Sequence, residues 1–214
     1  MDVLENVFRL YMPDTNCFRY ASSILQKTDK ENDEQSNRRL YKNAATSFWN
    51  KVILESERKE AKILVSSEVI QELKVQSYTL DKKENKSIMR LLSKLEEELE
   101  STVIPQEVEF SLREFSNYSR KNFGNLLTPP GRKMEYLRTS DARIFIHAYL
   151  NDAIIATANI KDFLLYPLFF EAEEDKLYDI LSSSYVHVNQ EGRMKIQQDK
   201  MYQQLLTSMR DLKY

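Results

Sequence analysis

With one cysteine, Cys17, and two histidines in 214 residues, the chain can form no internal disulfide and build no cysteine-rich zinc site. A reducing compartment is the simpler inference, and the cytoplasm is expected. Only three glycines and five prolines are present, which argues against repetitive or disordered architecture. Long apolar runs are missing too, and Asp2 and Glu5 interrupt the start, so neither a signal peptide nor a membrane span is expected. Nor does one sign of charge dominate: 31 Lys and Arg face 33 Asp and Glu, for a net charge of −2. Global charge therefore announces no nucleic-acid partner, and local distribution has to decide.

What is present describes a globular chain, 42% hydrophobic and 30% charged, long enough for one real core plus additions. Val7, Phe8, Leu10, Tyr11 and Met12 read as a buried strand, and Pro13, which lacks a backbone donor, should end it. Asp14-Thr15-Asn16 follows, ahead of an apolar stretch that opens a helix. An acid at the carboxyl end of a first strand lies where open parallel sheets bind ligands. Asp, Thr and Asn are also good helix caps, and the triplet alone favours the cap.

Residues 27–43 carry charge without an apolar period and predict a loop or insertion. Spacing then predicts a helix over 44–60 with Trp49 as a core anchor, a short strand over 62–66, and a helix capped by Ser66 or Ser67. Glu68 and Glu72 share a side of that helix. Glu72 falls between Val69 and Leu73 on the buried side and is the site candidate, whereas Glu68 suits the first-turn dipole. A charged amphipathic helix is predicted over 81–101, another over 106–121, and a loop at Thr128-Pro129-Pro130-Gly131.

Around that loop the chain is locally basic. Arg120, Lys121, Arg132, Lys133 and Arg138 alternate with Tyr118, Phe123 and Tyr136. The stretch is either a solvated surface or a rim that contacts phosphates, since cations and aromatics together hold single-stranded nucleic acid. Ser140-Asp141 opens a helix buried on more than one side; His147 lies a turn and a half on, off the face of Asp141, and is expected to be packed or surface-exposed rather than catalytic. Residues 153–157 read as a central parallel strand, with Thr157, Asn159 and Asp162 at its carboxyl end. A helix over 176–181, a strand over 185–188 and a terminal helix over 193–214 complete the prediction. The stripe of Met194, Met201, Leu205, Met209 and Leu212 is expected to pack on the body, with a homodimer or partner surface as the other reading.

Four acidic stations emerge: Asp14, Glu72, Asp141 and Asp162. In Asp14-Thr15-Asn16, Ser66-Ser67 with Glu72-Leu73, Ser140-Asp141-Ala142, Thr157-Ala158-Asn159 and Lys161-Asp162-Phe163, the chain resembles the PIN-domain nucleases. The likeness is greatest to the toxin-type ribonucleases of bacterial toxin–antitoxin pairs. It implies an α/β fold: a three-layer α/β/α sandwich with a mostly parallel central sheet over residues 1–189, to which this chain adds helical insertions near 27–43 and 81–101 and a C-terminal helical extension over 190–214. It implies an acidic pocket binding Mg²⁺ or Mn²⁺ through Asp14, Glu72, Asp141 and Asp162, supported by Asn16, Thr157 and Asn159. It also implies an RNA substrate, a 5′-phosphate and a 3′-hydroxyl as products, and an antitoxin protein as partner. The three additions to the chain depart from the toxin pattern.

The chemistry of the residues agrees. Oxygen ligands without a His or Cys cluster suit Mg²⁺ or Mn²⁺, and carboxylates clustered without a cation would repel one another. Two other classes share parts of this pattern. A phosphotransfer domain would want a second aspartate where Asn16 stands. A non-catalytic module of the same fold, binding nucleic acid or a protein, needs only the surface.

Overall fold

The computed structural model describes residues 8–25, 33–97, 103–127 and 134–213. In chain order the elements are β1 (Arg9–Pro13), α1 (Thr15–Ser22), α2 (Asp33–Glu57), β2 (Ala61–Val65), α3 (Ser67–Gln76), α4 (Lys82–Leu92), β3 (Glu96–Glu97), α5 (Gln106–Asn122), α6 (Gly124–Leu127) and α7 (Thr139–Leu150). They continue with β4 (Ile154–Thr157), α8 (Ile160–Phe163), a 3-10 turn at Tyr166–Phe169, β5 (Leu177–Asp179), β6 (Ser184–Tyr185), α9 (Gln190–Gln197) and α10 (Lys200–Asp211). This is an α/β protein.

The strands form one sheet in the order β3-β2-β1-β4-β5-β6, parallel except for the β5–β6 pair. β1 is central, with Tyr11 in register with Ile63 on one side and Ile154 on the other. The chain winds outward from β1 to β2 and β3, then crosses back to lay β4 on the opposite side of β1. Strand order reverses at the β1–β4 junction, where open α/β sheets leave a crevice beyond the carboxyl ends of the strands.

Side-chain parity sorts the helices onto the sheet. Tyr11 and Ile63 share a face, and Phe48 of α2 meets Tyr11 edge-on at 6.1 Å between ring centroids. Ser66, of opposite parity to Ile63, hydrogen-bonds Nδ1 of His147 on α7 at 2.7 Å. Helices therefore cover both faces. Ser66 Oγ also accepts from the Glu68 N–H as the cap of α3, so its own proton is free for the imidazole. His147 is packed rather than surface-exposed. Trp49 is buried too, its Nε1 donating to the Cys17 carbonyl at 3.0 Å and its ring packed on Phe18.

Several sequence expectations are corrected here. Residues 33–43, read as a loop, form the first turns of α2, where Arg38 pairs with Glu34 at 2.7 Å. Exposed i,i+4 pairing and propagation from the buried half at Ala45, Phe48, Trp49 and Val52 carry a helix that has no apolar period of its own. The helix predicted over 81–101 stops at Leu92; Glu96–Glu97 pair with Leu64–Val65 as an edge strand instead. The helix predicted over 176–181 is strand β5, because Leu177 and Tyr178 pair with Ile155 and Ala156 of β4. The terminal stripe spans two helices, α9 and α10, separated at Asp199, which caps α10. Buried Arg193 of α9 donates to the carbonyls of Phe170 at 2.6 Å and Pro167 at 2.8 Å, and α10 packs on α5 with Leu205 and Met209 buried. The methionine stripe thus faces the body in part, while Met194 remains exposed. Among the described residues no helix is long and apolar enough to cross a membrane.

Candidate active site

Asp14 stands at the sheet's switch point because Pro13 ends β1 and the next turn must be capped. Its backbone N–H still belongs to the sheet, donating to Ala156 of β4 at 3.0 Å. Its side chain already belongs to the helix, with Oδ1 accepting from the Cys17 N–H at 3.0 Å. The cap reading is borne out, and the capping carboxylate lies at the sheet's switch point. Oδ2 accepts from Thr157 Oγ1 at 2.6 Å and from Asn16 Nδ2 at 3.5 Å. Asp14 is only 4% exposed, and this desolvation pushes its carboxyl above the ordinary aspartate value against those three donors.

The other three acids arrive on separate elements and line the same cleft, which has a volume of about 260 Å³. Glu72 comes from the middle of α3, where Oε2 accepts from the Thr15 hydroxyl. Asp141 comes from the first turn of α7, and Asp162 from α8. Asn159 Nδ2 donates to Asp162 Oδ2, while the Asn159 N–H donates to Thr157 Oγ1 at 2.8 Å. Both Asn159 and Asp162 therefore reach the site. Glu68, set aside in favour of Glu72, points elsewhere and pairs with Arg143 at 3.4 Å.

The acids feel one another. Burial, then the charges of Asp162, Asp14 and Glu72, push Asp141 up to about 7. Burial and Glu135 push Asp162 up to about 6, with Arg138 opposing them. Among the described residues, no three Asp, Glu, His or Cys side chains close on a single point at coordinating distance. Neutral donors hold three of the acids instead: Thr157 and Asn16 on Asp14, Thr15 on Glu72, Asn159 on Asp162. The donor set nevertheless fits a hard divalent cation. It is all oxygen, it is partly desolvated, and its mutual repulsion would be relieved by positive charge.

Two arginines complete the cleft. Arg19 on α1 and Arg138, which precedes α7, line it together with Tyr136. Neither guanidinium forms an ion pair or hydrogen bond with another described residue. Arg113, by contrast, is engaged by Glu109 at 3.2 Å and by the Tyr136 hydroxyl at 2.5 Å. Of the described basic residues singled out by sequence, only Arg138 reaches the cleft. Arg120 and Lys121 sit on the last turn of α5, where Arg120 bonds Asn117, and Arg132 and Lys133 lie outside the described residues. Arg19 was missed because an exposed arginine on a short helix carries no signal of its own. The register that turns it toward the acids is set by the Asp14 cap one turn earlier.

Comparison of the chain with protein-family models, curated proteins and solved structures returns no significant match.

Proposed function

We propose that the chain is a Mg²⁺- or Mn²⁺-dependent ribonuclease of PIN type, its helices and sheet forming the α/β/α sandwich of that family. One observation carries the reading: four carboxylates from four chain segments line one cleft at the sheet's switch point, beside two arginines paired with none of them. A cleft that keeps acids and guanidiniums apart has separate places for a cation and for an anion, which is what a metal-bound phosphodiester requires.

Asp14, Asp141 and Asp162 would hold the ion, with Glu72 on the facing helix. Bound there, Mg²⁺ or Mn²⁺ would polarise the phosphodiester and lower the pKa of its water. Thr157, Asn16 and the Cys17 N–H fix the rotamer of Asp14, and Asn159 orients Asp162. Arg19 and Arg138 bind non-bridging phosphate oxygens and offset charge that grows as the P–O3′ bond breaks. Water adds to phosphorus, leaving a 5′-phosphate and a 3′-hydroxyl. An antitoxin-like protein that covers the cleft is part of the same proposal.

The test is incubation of the purified chain with single-stranded RNA and DNA in Mg²⁺, Mn²⁺ or chelator, beside Asp14→Asn. Metal-dependent cutting that the variant lacks supports the reading. Equal cutting by the variant, or none by the folded wild type across varied RNA, sinks it in favour of a binding module.

A further inference from the structure

A second cavity opens beside the acidic cleft. It has a volume of about 300 Å³, lies between α1, α2 and α4, and shares Asn16 and Arg19 with the cleft. The two spaces are thus neighbours with a common wall on α1. The floor is aliphatic: Ile88 is buried, Leu80 half-buried and Ile24 47% exposed. One wall is the ring of Tyr20, braced by Tyr41 at 4.8 Å between centroids.

The other charges in the cavity are already engaged. Arg38 pairs with Glu34, and Glu84 closes the capping box of α4 and accepts from the Ile24 N–H at 2.9 Å. Among the described residues Arg19 remains the uncommitted charge, and it lines both cavity and cleft. A recess with an aliphatic floor, an aromatic wall and a polar rim that includes a guanidinium unpaired among the described residues suits a group with a flat body that carries polar edges and an anionic end.

We propose that this cavity is the binding pocket for one unpaired nucleotide, its phosphate on Arg19 and its base on the Ile24, Leu80 and Ile88 floor beside Tyr20. The inference rests on the nuclease reading for its role, as the seat of the nucleotide next to the cleaved bond. Size limits the occupant. The volume lies at the small end of ligand pockets, which run from about 300 to 1,000 Å³, so a single nucleotide fits and a base pair does not. The substrate at this position is therefore an unpaired strand, and stacking on an aromatic wall accepts any base while charge fixes the phosphate.

The test needs no metal and no turnover. The full chain, with isoleucine methyls labelled and chelator present, is titrated with nucleoside 5′-monophosphates and separately with inorganic phosphate, and followed by NMR. Saturable shifts of the Ile24 and Ile88 methyls with the nucleotides, absent with phosphate alone, are expected. Arg19→Gln should weaken the binding about tenfold, in line with loss of one charged phosphate contact, and Ile24→Trp, which fills an exposed site, should abolish the Ile88 shift while the melting temperature holds. Unmoved methyls, shifts that phosphate reproduces, or an unchanged affinity in Arg19→Gln overturn the pocket. The two readings separate cleanly: methyl shifts without any RNA cutting leave a nucleotide pocket and sink the nuclease, whereas cutting without methyl shifts does the reverse.

Discussion

Thr157 Oγ1 donates a 2.6 Å hydrogen bond to Asp14 Oδ2 across the junction of β1 and β4, and the same oxygen accepts from the Asn159 N–H. One hydroxyl thus orients an acid of β1's end and the loop that carries another. Thr157→Val keeps the shape, frees Asp14 to rotate and leaves the Asn159 N–H without its partner. The expected cost is about 1–3 kcal/mol of stability for the stranded donor, read by urea unfolding, with RNA cleavage falling about tenfold or more as Asp14 loses its orientation. Wild-type cleavage by this variant would mean that the hydrogen bond does not set the position of Asp14.

Asp141, at about 7, and Asp162, at about 6, both sit above the unfolded value of 3.8. The folded chain therefore holds more protons than the unfolded chain between about pH 4 and 7, and stability falls as pH rises through that window. In chelator the wild type should lose melting temperature from pH 5 to pH 7.5 relative to Asp141→Asn. Thermal melts at both pH values check the sign; a rising difference would contradict it.

Asp141→Asn should also stabilise the metal-free protein at pH 7.5, by on the order of 1 kcal/mol or more, because it deletes a desolvated charge repelled by three neighbours. The same change should abolish RNA cutting. Mg²⁺ should raise the melting temperature of the wild type at pH 7.5 and leave this variant nearly unmoved, as seen by calorimetry.

Glu72 and Glu68 make an internal control on one helix. Glu72→Gln removes a cleft carboxylate and should eliminate activity with little change in stability. Glu68→Gln loosens an Arg143 pair that is 43% exposed on the arginine side, so stability should move by under about 1 kcal/mol and cleavage should persist. Inactivation by the second substitution with retained activity in the first would reverse the assignment.

Arg193 is buried, and its guanidinium donates to two carbonyls of the 3-10 turn region. Arg193→Ala should cost about 2–4 kcal/mol, measured by urea unfolding, since both acceptors lose a charged donor and the anchor of α9 is gone. A change within the error of the method would show that α9 and α10 are held by α5 alone.

The parts of the chain that were legible before the fold were those where local pattern and tertiary demand agree. Pro13 before Asp14, the Ser66 cap and the apolar run of β4 each combine a backbone constraint with a buried strand or helix start. Glu72 was separable from Glu68 because it falls between buried Val69 and Leu73, whereas Glu68 lies in the first turn, where an acid suits the helix dipole. Leu177–Asp179 was misread since three residues show no period, and only the pairing with Ile155 makes them a strand. Residues 33–43 were misread because a solvated helix supported from one end looks like a loop. Arg19 acquires meaning only from what the fold sets beside it, whereas Tyr136 already stood out among the basic residues around it.

The junction of β1 and β4 also governs when the cleft can exist. Asp14 and Thr157 are 143 residues apart along the chain, so the ribosome has emitted α1 through α7 before the two can meet. Loop closure over such a separation is slow and comes late in folding. A chain that ends before β4 carries three of the four acids but lacks Thr157, the partner that orients Asp14. Asp14 thus gains its orienting hydroxyl only after the whole segment from α1 to α7 has been made.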